Sequence, residues 1–146
     1  MQVKTRPGGG DLPIVLAAAA AIIDADGRAL LAQRPEGPGG KDMAGLWEFP
    51  GGKVLDGETP EAALVRELKE ELDMDITESC LAPFTFASHV GEKFHLLMPL
   101  YVCRVWKGVI TPLEGQRIKW IKPVRMGDLE MLPADKPLAA MLRDFL

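Results

Sequence analysis

Residues 60–72 carry the pattern that most restricts what this chain can become. Thr59-Pro60 reads as a helix start: a hydroxyl cap, then proline at the first helical position, where its missing N–H leaves no bond unmade. At about 100° per residue, Leu64, Val65, Leu68 and Leu72 fall on one face of the helix that follows. Glu67, Glu70 and Glu71 crowd the neighbouring arc, within about 100° of one another. Such a helix must bury one side in a core and leave the next open. Like charges three or four residues apart cost a helix about a few tenths of a kcal/mol per pair. Arg66 and Lys69 point elsewhere and offset that only in part. A hard divalent cation would offset it fully, since Mg2+ and Mn2+ prefer carboxylate oxygens and keep room for phosphates. On these residues alone an ordinary solvated glutamate face is the alternative. Gly51-Gly52, ahead of the helix, allows the backbone to approach the same point closely.

The rest of the chain supplies strands for that helix to pack on. Ile14–Ile23 reads as a central strand, although five of its residues are alanine, a poor strand former. Asp24-Ala25-Asp26-Gly27 is a hairpin turn signal, with Ala29–Gln33 returning as a second strand. Pro35–Gly40 is a loop, and Leu46–Phe49 a short apolar strand ended by Pro50-Gly51-Gly52. Cys80–His89, His95–Val105 and Arg117–Ile121 read as further strands. Asp135–Leu146 reads as a closing helix with Leu138, Met141, Leu142 and Phe145 on one side. Strands before, between and after two helices imply an α/β sandwich around a mixed sheet. The expected organisation is a loose tail over residues 1–11 and one domain over 12–146.

Composition narrows the function classes. A net charge of −4 on 146 residues gives no general attraction for nucleic-acid backbones, whereas a lone nucleotide can be held through a bound metal. Lys4, Arg6 and the apolar run to Ile23 loosely imitate a signal peptide, but glycines 8–10, Pro13 and the turn at 24–27 favour a buried strand. That run is too short to cross a bilayer. Cys80 and Cys103 have no metal-ligand or disulfide spacing, and read as two buried reduced thiols of a cytoplasmic protein.

The segment from Gly52 to Met74 resembles the Nudix box, Gly-x5-Glu-x7-Arg-Glu-U-x-Glu-Glu-x-Gly-U with U apolar. Gly52, Glu58, Arg66, Glu67, Leu68, Glu70, Glu71 and Met74 match; Asp73 stands where the last glycine is expected. Aspartate tolerates the left-handed conformation needed there better than most residues. Gln33-Arg34-Pro35, Leu46–Lys53, Trp106, Glu114-Gly115-Gln116, Trp120 and Pro133-Ala134-Asp135 extend the resemblance to MutT-type members. The resemblance implies a Nudix α/β/α sandwich and a Mg2+-dependent nucleoside triphosphate diphosphatase, with Mn2+ as a substitute. Its leading expected substrate is 8-oxo-dGTP, hydrolysed to the monophosphate and pyrophosphate before it can be incorporated into DNA. A CTP or other pyrimidine nucleotide pyrophosphohydrolase is the rival, and a non-catalytic nucleotide-recognition module the rival from another class.

Carried over residue by residue, the Gly52 carbonyl, Glu67, Glu70 and Glu71 are the implied metal ligands. Glu67 is the first choice of general base, Glu114 the alternative, with Glu70 in the same cluster orienting water or binding metal. Glu58 and Arg66 are implied to be structural. Arg34, Glu48, Phe49, Pro50, Gly51 and Lys53 are implied to meet the nucleotide. Asp135 occupies the position of a base-reading asparagine; an ionised carboxylate there only accepts hydrogen bonds, while a buried protonated one can donate. Asp135 reads equally as the cap of the last helix. His89 and His95 read as structural residues, and Trp47, Trp106 and Trp120 as core. The expected partner is the nucleotide alone, without nucleic acid or membrane, on a monomer or weak homodimer.

Overall fold

The computed structural model describes residues 12–36 and 43–146. The expected loose tail at 1–11, and residues 37–40 of the expected loop, lie outside them. Two sheets form. Strand β1 (Ile14–Ile22) sits inside a mixed four-stranded sheet, antiparallel to β4 (Gly51–Lys53) and parallel to β6 (His95–Cys103), which carries β5 (Leu81–Val90) antiparallel on its far side. Strand β2 (Ala29–Gln33) lies antiparallel between β3 (Trp47–Glu48) and β7 (Arg117–Ile121) in a second, three-stranded sheet.

The turn at 24–27 forms as expected. Asp24 Oδ1 accepts from the Asp26 and Arg28 amides at 3.0 and 2.8 Å, and Gly27 supplies φ 78°. The strands it joins do not continue as a hairpin. After the single Ile23–Ala29 bridge they part into different sheets, because both edges of β1 are taken by β4 and β6. Gly51–Lys53, read from sequence as the end of a strand, is itself a strand. It pairs Gly51 with Ala19 and Gly52 with Ala18.

The alanines of β1 then have a physical reason. Ala18, Ala20 and Ile22 face helix α1 (Pro60–Leu72) with Leu64, Leu68 and Leu72, while Ala17, Ala19 and Ala21 face helix α2 (Asp135–Phe145) with Leu138 and Leu142. A strand covered on both faces gains from side chains small enough to let its neighbours close in. The approach is so close that a Cβ on Gly51 would run into the Ala18 carbonyl.

Helix α1 begins and ends as the sequence implies. Thr59 Oγ1 accepts from Ala62 N at 3.1 Å, Pro60 opens the first turn, and Asp73 closes the helix at φ 55°, ψ 33°. Asp73→Gly is expected to raise Tm by about 2 °C, since glycine enters the left-handed region without a Cβ penalty, and the exposed Lys69–Asp73 pair is largely screened by solvent. Thermal unfolding checks this, and a lower Tm means that the ion pair outweighs the backbone strain.

At α2 one expectation is corrected. The cap residue is Ala134, and Asp135 is the first helical residue. Its carboxylate turns from the helix end to the Phe49 amide, so it caps nothing. Two 3-10 turns, Glu78–Cys80 and Pro123–Asp128, fill segments that carried no periodic signal. Cys80 ends the first of these and is only half-buried, so the reading of two buried thiols holds for Cys103 alone. No described helix is long and apolar enough to cross a membrane.

Candidate active site

Pairing β4 with β1 places Gly52 directly beneath α1. A Cβ on Gly52 would lie 2.5 Å from Glu67 Cδ and 2.6 Å from its Oε1, so glycine is what lets that carboxylate sit over the strand. The strap holding it there is Arg66. The guanidinium donates through Nε and Nη2 to both Glu58 oxygens at 2.8 and 2.9 Å, through Nη1 to Glu67 Oε1 at 2.8 Å, and through Nη2 to the Lys53 carbonyl at 3.1 Å. Such a forked, charge-assisted arrangement is specific to arginine. The Arg66 hydrogen bonds hold the Glu58 carboxyl down at about 2. Glu58 also accepts from Leu55 N at 2.9 Å, tying the glycine-rich segment to the helix.

A cleft of about 860 Å³ opens over this point. Its acidic end is formed by Gly52, Glu67, Glu71 and Glu114. Burial drives the Glu71 carboxyl far above its usual range, and the adjoining Glu67, Glu114 and Glu48 carboxylates push it the same way. Carboxylates crowded at the mouth of a low-dielectric cleft repel one another unless a proton or a cation lies among them. The donor set is all hard oxygen, which suits a divalent cation of the magnesium type. Among the described residues no three acidic, histidine or cysteine side chains are gathered in ligand geometry. Arg66 holds one Glu67 oxygen at 2.8 Å and lies 3.4 Å from Glu70, which is 59% exposed and off the cleft wall, against 16% for Glu67.

The other end is built around Asp135. It is 2% exposed, and its Oδ2 accepts from Phe49 N at 2.8 Å. Burial raises its carboxyl to about 7; the Phe49 amide opposes this, Glu48 adds to it and Arg34 opposes it. Arg34 Nε reaches Glu48 Oε2 at 2.9 Å, both half-buried on the cleft wall. Phe49, Gly51 and Lys53 also line the cleft. Pro50 is buried behind it, its carbonyl accepting from Ala20 N at 2.8 Å.

The structure thus brings the sequence-selected residues into one cleft, except Glu70 and Pro50. His89 is exposed at its rim, while His95 lies off the cleft, bonded to Ser88 Oγ at 2.6 Å. The three tryptophans are absent from the cleft wall. Trp106 and Trp120 stack at 6.0 Å and pack against the α1 side of the core, and Trp47 packs against the other side. Sequence reading missed the apolar wall made by Val15, Ala17, Leu96 and Met98. Alternation along β1 and β6 marks these as inward-facing, but nothing in the pattern separates a cleft wall from a core. A second cleft of about 640 Å³, between the 123–128 turn and α2, holds none of the residues selected for chemistry.

Comparison with known proteins fits this arrangement. The NUDIX domain family model matches residues 13–145. The CTP pyrophosphohydrolase of Escherichia coli is 41% identical over 121 residues, covering 82% of this chain and 84% of that one. The 8-oxo-dGTP diphosphatase of Proteus vulgaris is 40% identical over 98 residues, covering 67% of this chain and 83% of its own. Among solved structures, a MutT from the comparative study of Aliivibrio salmonicida and Vibrio cholerae superposes with a TM-score of 0.74 at 28% identity, covering 91% of this chain and 99% of that one. With the box residues on one strand–helix unit, and a family model spanning almost its whole length, this chain belongs to the Nudix hydrolases as a MutT-type member.

Proposed function

We propose that this Nudix nucleotide diphosphatase is a Mg2+-dependent enzyme that converts 8-oxo-dGTP and water to 8-oxo-dGMP and pyrophosphate. It would thereby remove an oxidised nucleotide from the cytoplasmic pool before DNA synthesis uses it. The observation that carries this reading is the polarity of the cleft: an acidic cluster at one end and a sealed carboxyl at the other. A nucleoside triphosphate has the matching polarity, with phosphates at one end and a hydrogen-bonding base at the other.

Gly52 O, Glu67 and Glu71 would hold the metal, with Glu70 able to join by turning from Arg66. A bound divalent cation supplies positive charge that neutralises the phosphates and lowers the pKa of water. Glu67 would accept the proton of the attacking water, with Glu114, also in the cleft lining, as the alternative. Arg34 and Lys53 contribute positive charge on the cleft wall, which a polyphosphate needs against so many carboxylates. Glu48 orients Arg34. Asp135, with Phe49 and Gly51 beside it, would read the base. At a carboxyl pKa near 7 it can both donate and accept, as an amide does.

A second reading has its own support. The Escherichia coli relative named for CTP matches more of this chain than the Proteus one, and an ionised Asp135 can accept from an exocyclic amine such as that of cytosine. Comparing kcat/KM for 8-oxo-dGTP, dGTP, CTP and dCTP with Mg2+ tests the choice. The proposal expects 8-oxo-dGTP to lead, with pyrophosphate as co-product. CTP ahead by tenfold or more overturns the substrate, and release of orthophosphate overturns the reaction.

A further inference from the structure

The segment between Trp106 and β7 is fastened to the last turn of α1 in an unusual way. The Leu72 carbonyl accepts from Thr111 N at 2.9 Å, and the Glu71 carbonyl from Leu113 N at 2.9 Å. These are C-terminal helix carbonyls, which have no partner within the helix and must find one elsewhere. Gln116 completes the attachment with both ends of its amide. Nε2 donates to the same Glu71 carbonyl at 3.0 Å, and Oε1 accepts from the backbone amide of Glu114 at 2.9 Å. Gly115, at φ 76°, makes the reversal between them. One half-buried side chain therefore spans two residues, Glu71 and Glu114, that both line the cleft and whose carboxylates repel each other.

We infer that Gln116 is a positioning residue for the reaction, clamping the Glu114 backbone to the turn of α1 that carries Glu67 and Glu71. The inference rests on the reading of Glu114 as a group that acts at the diphosphate. Without the clamp Glu114 sits on an exposed loop that keeps its hydrogen bonds to the helix through the amides of residues 111 and 113. Its side chain would then sample a wider range, and misplacement by about 1 Å can cost about a hundredfold in rate. The amide is suited to the task because it donates and accepts at once, which neither a carboxylate nor an apolar residue can do.

The test is a double-substitution cycle on the full chain, measured as pyrophosphate release with saturating Mg2+. Gln116→Ala is expected to lower kcat about tenfold with KM for the nucleotide changed less than about twofold, the mark of an interaction realised in the transition state. Gln116→Met, which keeps the volume and removes both hydrogen bonds, is expected to match it. Glu114→Gln is expected to lower kcat about a hundredfold. In the Glu114→Gln background, Gln116→Met is expected to cause no further loss, because the clamp then positions nothing. An equal loss in both backgrounds makes Gln116 a general structural residue and overturns the inference. So does full activity of Gln116→Met, or a loss at Gln116 when Glu114→Gln is as active as the native chain. Absence of pyrophosphate release from the native chain would instead count against the diphosphatase reading.

Discussion

Glu67→Gln is expected to lower kcat for pyrophosphate release by about three orders of magnitude, about 4 kcal/mol of transition-state stabilisation. Three contacts meet on this carboxylate: it lies against the Gly52 backbone, it is gripped by Arg66 Nη1 at 2.8 Å, and it adjoins the Glu71 carboxyl on the same helix face. An amide keeps the shape but binds a hard cation poorly and cannot take a proton from water. Thermal stability should change little, because the variant loses an ion pair with Arg66 but also relieves repulsion with Glu71. The same change at Glu70 is expected to cost less, since that side chain points outward onto Arg66. Steady-state rates with Mg2+, alongside melting curves, check the order. A Glu67→Gln enzyme turning over at the native rate would take this residue out of the chemistry.

The second large effect is expected at Asp135. Asp135→Ala leaves the Phe49 N–H buried without its partner and removes the polar group proposed to read the base. A site built around a hydrogen bond loses about 1–3 kcal/mol when one partner is missing, so kcat/KM for the preferred nucleotide should fall about tenfold to a hundredfold. Asp135→Asn should retain that efficiency, because its amide oxygen can still accept from Phe49 N. The two side chains differ in pH dependence. Burial raises the Asp135 carboxyl from 3.8 to about 7. A carboxyl with a raised folded-state pKa stabilises the fold fully below its unfolded value, and that contribution is lost as pH rises through about 7. The native chain should therefore lose Tm relative to Asp135→Asn between pH 4 and pH 8. Its kcat/KM for 8-oxo-dGTP should fall across pH 7 relative to that of the Asn variant, which keeps every other titrating group of the site. Parallel melting curves for the two proteins would show that Asp135 does not titrate in that window.

The local rules carried the sequence reading furthest where one residue type answers one geometric need. Thr59, Pro60 and Asp73 bracket α1 because a hydroxyl, a fixed φ and a tolerance for the left-handed region are each required at those points. The carboxylate face was legible for the same reason, since helical spacing alone places Glu67 and Glu71 together. What spacing could not show is which carboxylate meets the cleft: Glu70 shares their face, yet it stands exposed beside Arg66 and off the cleft wall. Strand β4 stayed hidden because two glycines have no strand propensity, and its pairing with β1 is created by close approach to alanines more than thirty residues earlier in the chain. The division into two sheets was hidden similarly, because the Asp24–Gly27 turn has the chemistry of a hairpin while the partners of β1 lie far away in sequence. At Asp135 a capping residue type lies one position inside the helix, and its distant partner Phe49 decides its role.

In the proposed function Gly52, Glu67 and Glu71 hold a divalent cation against the polyphosphate of a bound nucleotide. Anomalous scattering from a crystal grown with Mn2+ and a non-hydrolysable nucleoside triphosphate measures this directly. A manganese peak is expected about 2.1 Å from the Gly52 carbonyl and from oxygens of Glu67 and Glu71, bridged to the phosphates. A nucleotide bound in the cleft with manganese held elsewhere, and those carboxylates bonded only to Arg66 and to each other, would contradict it.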